Sequence, residues 1–329
     1  MKKIYLISLI LMPFLLSAQE GYEIKVNFKP FKHQYIYLGH YFGKTYPIID
    51  SAMLNEQGTA VFKGTKKLNG GIYLIGYPNK TGFFEILVDK DQHFTVLADT
   101  ANLANGVKFE GSADNTLFLT YQKSIGEKGK VLNGFQQQLK TATTKEDSTR
   151  IMANITSADK NMQQYREDLI KQNPKSLLSA LLAAMRDPEI PTHLREPKTK
   201  ADSIAAYEYY KGKYWEGVNF WDGRLAYTTF FEEKIDKYYN QLVTPHPDSV
   251  IREIDYMMGY ASLNEEMTRF LLIKFVNRYL NQKYMWEDAV FVHLFEKYFS
   301  NKSYSWLSDK GKKTITDRAY SLMANIMGN

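Results

Sequence analysis

From Tyr22 to Glu110, apolar residues recur at every second position, with turn residues every eight to twelve. Tyr22, Ile24, Val26 and Phe28 keep that period and predict a half-buried strand. Gln34 to Phe42 predicts a second, with Ile36, Leu38 and His40 on one face and Tyr35, Tyr37 and Tyr41 on the other. Tyr46 to Met53 and Thr59 to Phe62 flank Asn55-Glu56-Gln57-Gly58, a turn cluster suited to a hairpin. Ile72 to Tyr77, Phe83 to Val88, Phe94 to Leu97 and Val107 to Phe109 complete the set. Short strands at this spacing predict an antiparallel sandwich or partly open barrel.

Near Gly111 the period changes to that of helices. Ser112 or Asp114 can cap a helix carrying Leu117, Phe118 and Tyr121, which Gly126 and Gly129 are expected to interrupt. A second segment carries Leu132, Phe135 and Leu139. Thr144 to Gln172 follows, with Ile151, Ile155, Met162, Tyr165, Leu169 and Ile170 inward. Pro174 is placed in the first turn of a helix from Lys175 to Met185. Further helices are expected at Lys200 to Trp215, Thr228 to Gln241, Asp248 to Ser262, Glu265 to Gln282, Trp286 to Phe299 and Asp309 to Met327. Thr199, Thr244, Asn264 and Ser308 are their capping candidates. The fold class is α+β: an N-terminal antiparallel β-sandwich or barrel over residues 19–111, then an all-α helical domain over residues 112–329. No repeat, low-complexity segment or long linker separates them.

Residues 1–18 stand apart. Lys2 and Lys3 precede an apolar run from Ile4 to Leu16, and Ser17-Ala18 offers small residues for cleavage before Gln19. A run of about a dozen residues is too short to span a bilayer, so it is read as a signal peptide and not an anchor. Periplasmic export is expected, with no stable membrane anchor after cleavage. Losing two lysines and no acid lowers the formal charge from +6 to +4. The basic residues are interspersed with acids, unlike a nucleic-acid footprint, so no nucleic-acid partner is expected. With no cysteine, the chain has no thiolate nucleophile, redox Cys-x-x-Cys, zinc-thiolate site or lipidated N-terminal cysteine.

Several phrases carry a family resemblance. They are Ile49-Asp50-Ser51-Ala52 with Asn55-Glu56-Gln57-Gly58 and Phe62-Lys63-Gly64, then Phe109-Glu110-Gly111-Ser112-Ala113-Asp114-Asn115 before Phe118 and Tyr121. Later come Tyr207-Glu208-Tyr209-Tyr210 through Tyr214-Trp215, Asp222-Gly223-Arg224, and Tyr284-Met285-Trp286-Glu287-Asp288-Ala289-Val290-Phe291-Val292 with Tyr298 and Trp306. Together they resemble the β-domain and helical domain, both of unknown function, that precede the thioredoxin fold in Bacteroidota TlpA-like thiol–disulfide oxidoreductases. The motifs are turn and packing signatures. The family's redox cysteines match no position here, and the given chain stops at Asn329, about where that domain would begin. Two expectations follow: a stand-alone relative, or the leading part of an oxidoreductase.

Candidate chemistry is sparse. The six histidines, His33, His40, His93, His193, His246 and His293, show no helical metal-site spacing, and no metal or cofactor is expected. His293 is expected as a hydrogen-bonded core or boundary residue and His246 as a loop residue. No Gly-x-Ser-x-Gly occurs, and Gly126-Glu127-Lys128-Gly129-Lys130 is not a phosphate loop. Asp89 and Asp91 fit a plain hairpin turn better than a calcium loop. No catalytic residue is assigned.

The most unusual composition lies between Tyr207 and Arg224. Tyr207, Tyr210 and Tyr214 share one helical face, with Trp215, Phe220, Trp221, Asp222 and Arg224 just beyond. Tyr210, Tyr214, Trp215, Trp221, Asp222 and Arg224 are the candidate binding residues for a sugar or peptide. The competing view makes the aromatics interhelical packing and Asp222–Arg224 a structural ion pair. On that view Trp221→Ala costs about 3–5 kcal/mol. The expected function is an exported, non-catalytic binding or positioning module for an envelope protein or small ligand. The alternatives are an oxidoreductase with its redox domain downstream and a periplasmic glycan- or peptide-binding protein.

Overall fold

The period-two segments become strands, but they divide between two sheets. The computed structural model describes residues 21–102 and 106–327; the expected leader, residues 1–18, and its cleavage site lie outside the described residues. The strands are β1 (Tyr22–Lys29), β2 (Tyr35–His40), β3 (Ile48–Met53), β4 (Thr59–Gly64), β5 (Gly71–Gly76), β6 (Phe83–Val88), β7 (His93–Asp99) and β8 (Lys108–Glu110). One sheet has the order β4-β1-β7-β8 and the other β3-β2-β5-β6. Ile24, Val26, Phe28, Phe62 and Val96 of the first sheet and Ile36, Leu38, Tyr73, Ile75 and Ile86 of the second are buried. Alternation places these side chains in the interior of a sandwich.

Three details correct the expected topology. The Asn55–Gly58 turn forms, with the Gly58 N–H donating to the Asn55 carbonyl at 2.9 Å, yet β3 pairs with β2 while β4 pairs with β1. The β2–β3 pairing runs on to Leu54, whose N–H donates to the Gln34 carbonyl at 2.9 Å. Leu54 is fully buried, so the chain turns there across the sandwich and not back along its own sheet. Asp89 to Asp91 likewise carry the chain from β6 to β7 in the opposite sheet and form no hairpin. Buried Gln92 holds this crossing, donating to the carbonyls of Leu68 and Asp89 at 2.9 Å each. Finally β1 and β7 run parallel, with Ile24 opposite Phe94 and Val26 opposite Val96. A strand that arrives by a crossover is free of the antiparallel constraint of a tight hairpin.

Nine α-helices follow among the described residues: α1 (Ala113–Thr141), α2 (Lys145–Gln172), α3 (Leu177–Ala184), α4 (Lys200–Lys213), α5 (Phe230–Gln241), α6 (Pro247–Ala261), α7 (Glu265–Tyr279), α8 (Glu287–Leu294) and α9 (Asp309–Met327). Helix α1 passes unbroken through Gly126 and Gly129, against expectation. Its residues Phe118, Tyr121, Ile125, Lys128, Leu132, Phe135 and Leu139 alternate steps of three and four, and so do Ile151, Ile155, Ala158, Met162, Tyr165 and Leu169 of α2. These are the seam positions of a coiled coil. Tyr121 stacks on Tyr165 at 6.3 Å, and Lys128, the one charged group in the α1 seam, places its ammonium 5.4 Å from the Tyr165 ring centre. The pairing outweighs a glycine penalty of about 1 kcal/mol each.

Other helix ends also move. Pro174 lies in the turn before α3, whose cap is Ser176 accepting from the Ser179 N–H. Helix α6 begins at Pro247 after His246, and Thr244 does not cap it. The helix expected to Phe299 ends at Leu294 and continues as a π turn, Phe295–Phe299, in which the Ser300 N–H reaches the Phe295 carbonyl at 2.8 Å. The wider turn keeps Phe295, Tyr298 and Phe299 buried together. Thr199, Asn264 and Ser308 each accept from the backbone at the helix starts expected of them. Helix α7 buries Met267, Phe270, Leu271, Leu272, Phe275, Val276 and Tyr279, which makes it the central helix.

Helix α1 is anchored to the sandwich by Asn115, which is fully buried. Its carboxamide accepts from the Leu87 N–H and donates to the Leu87 carbonyl, both at 2.7 Å. Asn115→Ala leaves both Leu87 groups unpaired, at about 1–3 kcal/mol each. The urea midpoint of this variant should fall clearly with the slope unchanged, and a midpoint equal to wild type would show that water replaces the amide.

Candidate functional site

The aromatic segment divides into three parts with different surroundings. Tyr214 is fully buried, donates its hydroxyl to the Lys234 carbonyl at 2.9 Å and stacks on Tyr238 at 5.2 Å. Trp215 lies edge-on to Tyr214 and Phe220 at 4.9 and 5.1 Å. Tyr210 is half-buried, its hydroxyl 3.0 Å from the Lys237 ammonium. These rings are packing between helices. Trp221 is not: it is 47% exposed and meets Tyr260 at 6.0 Å, and Tyr260 meets Tyr256 at 5.3 Å. The large loss expected for Trp221→Ala is therefore corrected, because the indole sits outside the core on a ledge with two exposed tyrosines. Asp222 and Arg224 form the third part. Arg224 donates to Asp222 at 2.7 and 2.8 Å and to Asp89 of the β6–β7 turn at 3.1 Å. The triad joins the two domains, and the six candidates do not converge on one site.

The same junction carries a second seam. Gly71 lets the sheet approach so closely that an added Cβ would stand 2.2 Å from Cβ of Tyr227. The Tyr227 hydroxyl donates to Glu266 and accepts from Asn69, both at 2.9 Å, and burial pushes the phenol up to about 12. His40 packs against the Tyr227 ring at 4.4 Å, and burial lowers the imidazole.

Beside this seam a cleft of about 670 Å³ opens between the β2–β3 loop and helices α5 and α7. Its walls follow from two helical stripes. Glu232, Asp236 and Asn240 recur at every fourth residue of α5, while Lys274, Asn277, Arg278 and Asn281 lie on one face of α7 and just past its end. Lys274 reaches Glu232 and Asp236, both at 2.7 Å, and Arg278 donates to Asn240 at 2.7 Å. From the β side, Gly43 at φ +59° aims the Lys44 N–H at Glu232, 2.6 Å away, and the Lys44 ammonium reaches Asp236 at 3.1 Å. Burial alone would raise the Asp236 carboxyl, but Lys274 and Lys44 hold it below the ordinary value. Phe42 meets Phe270 edge-to-face at 5.3 Å among the lining residues.

Glu232 and Asp236 are both engaged by cations, and the Thr45 hydroxyl donates to the Phe42 carbonyl. Among the described residues no group of three or more histidines or carboxylates is placed to hold a metal ion. His293 bonds Asp255 at 3.0 Å, as its expected boundary role requires. The sequence signal for the cleft was the pairing of an acidic stripe at 232 and 236 with a basic stripe at 274 and 278.

From residue 137 to 325, more than half its length, the chain matches the family described as Domain of unknown function (DUF5106). The chain belongs to this family. A second domain of unknown function, DUF4369, matches residues 22–118. No curated protein and no solved structure matches the chain. The DUF5106 region supplies Glu232, Asp236, Lys274 and Arg278, and the DUF4369 region supplies Phe42, Lys44 and Thr45. The cleft therefore exists only where the two regions meet.

Two outcomes follow. Tyr214→Ala should cost about 3–5 kcal/mol as a buried aromatic, whereas Trp221→Ala should stay within about 0.5 kcal/mol; paired urea melts compare them. Within the DUF5106 region, buried Lys234 donates to the Arg186 carbonyl, and burial lowers its amine to about 8. Between that value and the ordinary 10.5 the unfolded chain binds the proton more tightly, so this group makes stability rise with pH. Buried tyrosines with raised values oppose the rise from about 10 upward. Urea melts across the window should show the increase in wild type and lose it in Lys234→Met.

Proposed function

We propose that this chain is an exported, non-catalytic binding and positioning module, related to the N-terminal region of thioredoxin-like envelope oxidoreductases, and that its interdomain cleft holds the ligand. The observation that supports this most is the cleft itself, with Lys44 from one domain, charged and amide side chains from the other, and Glu232 and Asp236 neutralised internally. Its volume lies in the range of small-molecule sites. Export is supported by the basic start, short apolar run and small residues before Gln19. No helix among the described residues is long and apolar enough to cross a membrane.

The ledge of Trp221, Tyr256 and Tyr260 favours a second reading, a glycan- or peptide-binding surface outside the cleft. Three aromatic rings, each about half exposed, offer flat apolar faces to a sugar or an extended peptide.

Thermal-shift screening of the mature protein against amino acids, short peptides, sugars and organic acids tests both readings. A ligand at about 100 times its dissociation constant should add roughly 2.7 kcal/mol of stability. The cleft reading expects that gain to vanish in Asn277→Ala/Asn281→Ala. A gain lost only in Trp221→Ala moves the function to the ledge, and chemical conversion of the bound molecule overturns the non-catalytic assignment. N-terminal sequencing of the periplasmic fraction should begin at Gln19; a mature chain beginning at Met1 contradicts export by cleavage.

A further inference from the structure

We infer that the cleft recognises a small oxyanion, a carboxylate or phosphate group, through Lys44 from one domain and Lys283, Asn277 and Asn281 from the other. This rests on the cleft being the ligand site and adds the ligand's chemical class. The argument is a count of donors and acceptors.

The lining holds three carboxylates, and each already accepts from the protein. Glu232 takes the Lys274 ammonium and the Lys44 N–H, and Asp236 takes Lys274, Lys44 and Arg278. Glu287 accepts from the main-chain N–H groups of Lys283 and Tyr284. The carboxylate acceptors of the lining are therefore engaged inside the protein.

Donor capacity is not. The Lys283 ammonium and the carboxamide N–H groups of Asn277 and Asn281, all on exposed residues, line the cleft with no hydrogen-bonded protein partner among the described residues. The Lys44 ammonium has a single carboxylate, and its side chain is 61% exposed. Four cationic side chains face three carboxylates in the lining. A ligand that only accepts hydrogen bonds and carries negative charge satisfies these donors without uncovering a buried acid. An amine meets like charge at Lys44 and Lys283, and a neutral polyol brings no charge to balance these two ammonium groups.

The geometry also leaves room for the exchange. Lys274 is the inner cation, its side chain 13% exposed, and it keeps Glu232 and Asp236 neutralised if Lys44 turns outward to a ligand. The junction then gives up the Lys44–Asp236 pair and keeps the two Lys274 pairs while the outer lysine changes partner. The Lys44 N–H on Glu232 is a main-chain contact that the side-chain movement does not break.

Isothermal titration of the full mature protein tests the assignment with named probes. Succinate and citrate form the carboxylate arm, inorganic phosphate and glycerol phosphate the phosphate arm, with glucose and putrescine as neutral and cationic controls. One anionic arm should bind, weaken as ionic strength rises, and lose about tenfold or more in affinity in Lys44→Gln/Lys283→Gln. The melting temperature of that double variant should stay close to wild type, since Lys274 is untouched. Failure of every anion to bind, or anion binding indifferent to the double variant, overturns the inference. Glucose or putrescine bound as tightly as the anions, and lost in Asn277→Ala/Asn281→Ala, overturns the oxyanion assignment while leaving the cleft as the ligand site. A probe that binds but ignores both double variants removes the site as well.

Discussion

Two carboxylates on α5, Glu232 and Asp236, are largely withdrawn from water where the helical domain faces the sandwich. A carboxylate so placed is tolerable only with good partners, because desolvation would otherwise exceed any attraction it gains. Helix α7 supplies Lys274 and Arg278, and the β2–β3 loop supplies a backbone N–H and an ammonium from Lys44. The second source lies in the other domain. The need to compensate these charges therefore helps fix how the domains meet, with Gly43 in a left-handed conformation so that no side chain blocks Glu232. The cleft is the space left beside this solution.

The two domains are also joined by a helix that belongs to neither region alone. DUF4369 ends at residue 118 and DUF5106 begins at 137, yet α1 runs from Ala113 to Thr141 without a break. Its first turn is bound to the sandwich through Asn115 and its remainder to α2 through the heptad seam. At about 1.5 Å per residue it extends roughly 43 Å, so its far end lies well away from the sheet it starts on.

Strands and most helix starts were legible in the sequence because they depend on local periodicity and capping groups. Ser112, Thr199 and Asn264 act at the positions their types suggest. What was not legible depends on distant partners. The turns at Asn55–Gly58 and Asp89–Asp91 look the same locally whether the chain folds back or crosses to another sheet; burial of Leu54 and Gln92 decides between them. Gly126 and Gly129 signalled a break that pairing with α2 overrides. In the aromatic segment, composition could not separate fully buried Tyr214 from half-exposed Trp221, seven residues on. The cleft has no local signature because its acids and bases lie about forty residues apart, on helices whose contact only the fold reveals.

The parallel pairing of β1 with β7 bears on how the chain acquires its shape. The first described strand is an interior member of its sheet, flanked by β4 on one side and β7 on the other. Its second edge stays open until residue 99 has emerged, and contacts of such long sequence separation form slowly because a large loop must close first. Strand β1 accordingly keeps one edge unpaired while most of the β-domain is still being made, so its sheet is completed only when the last strands are in place.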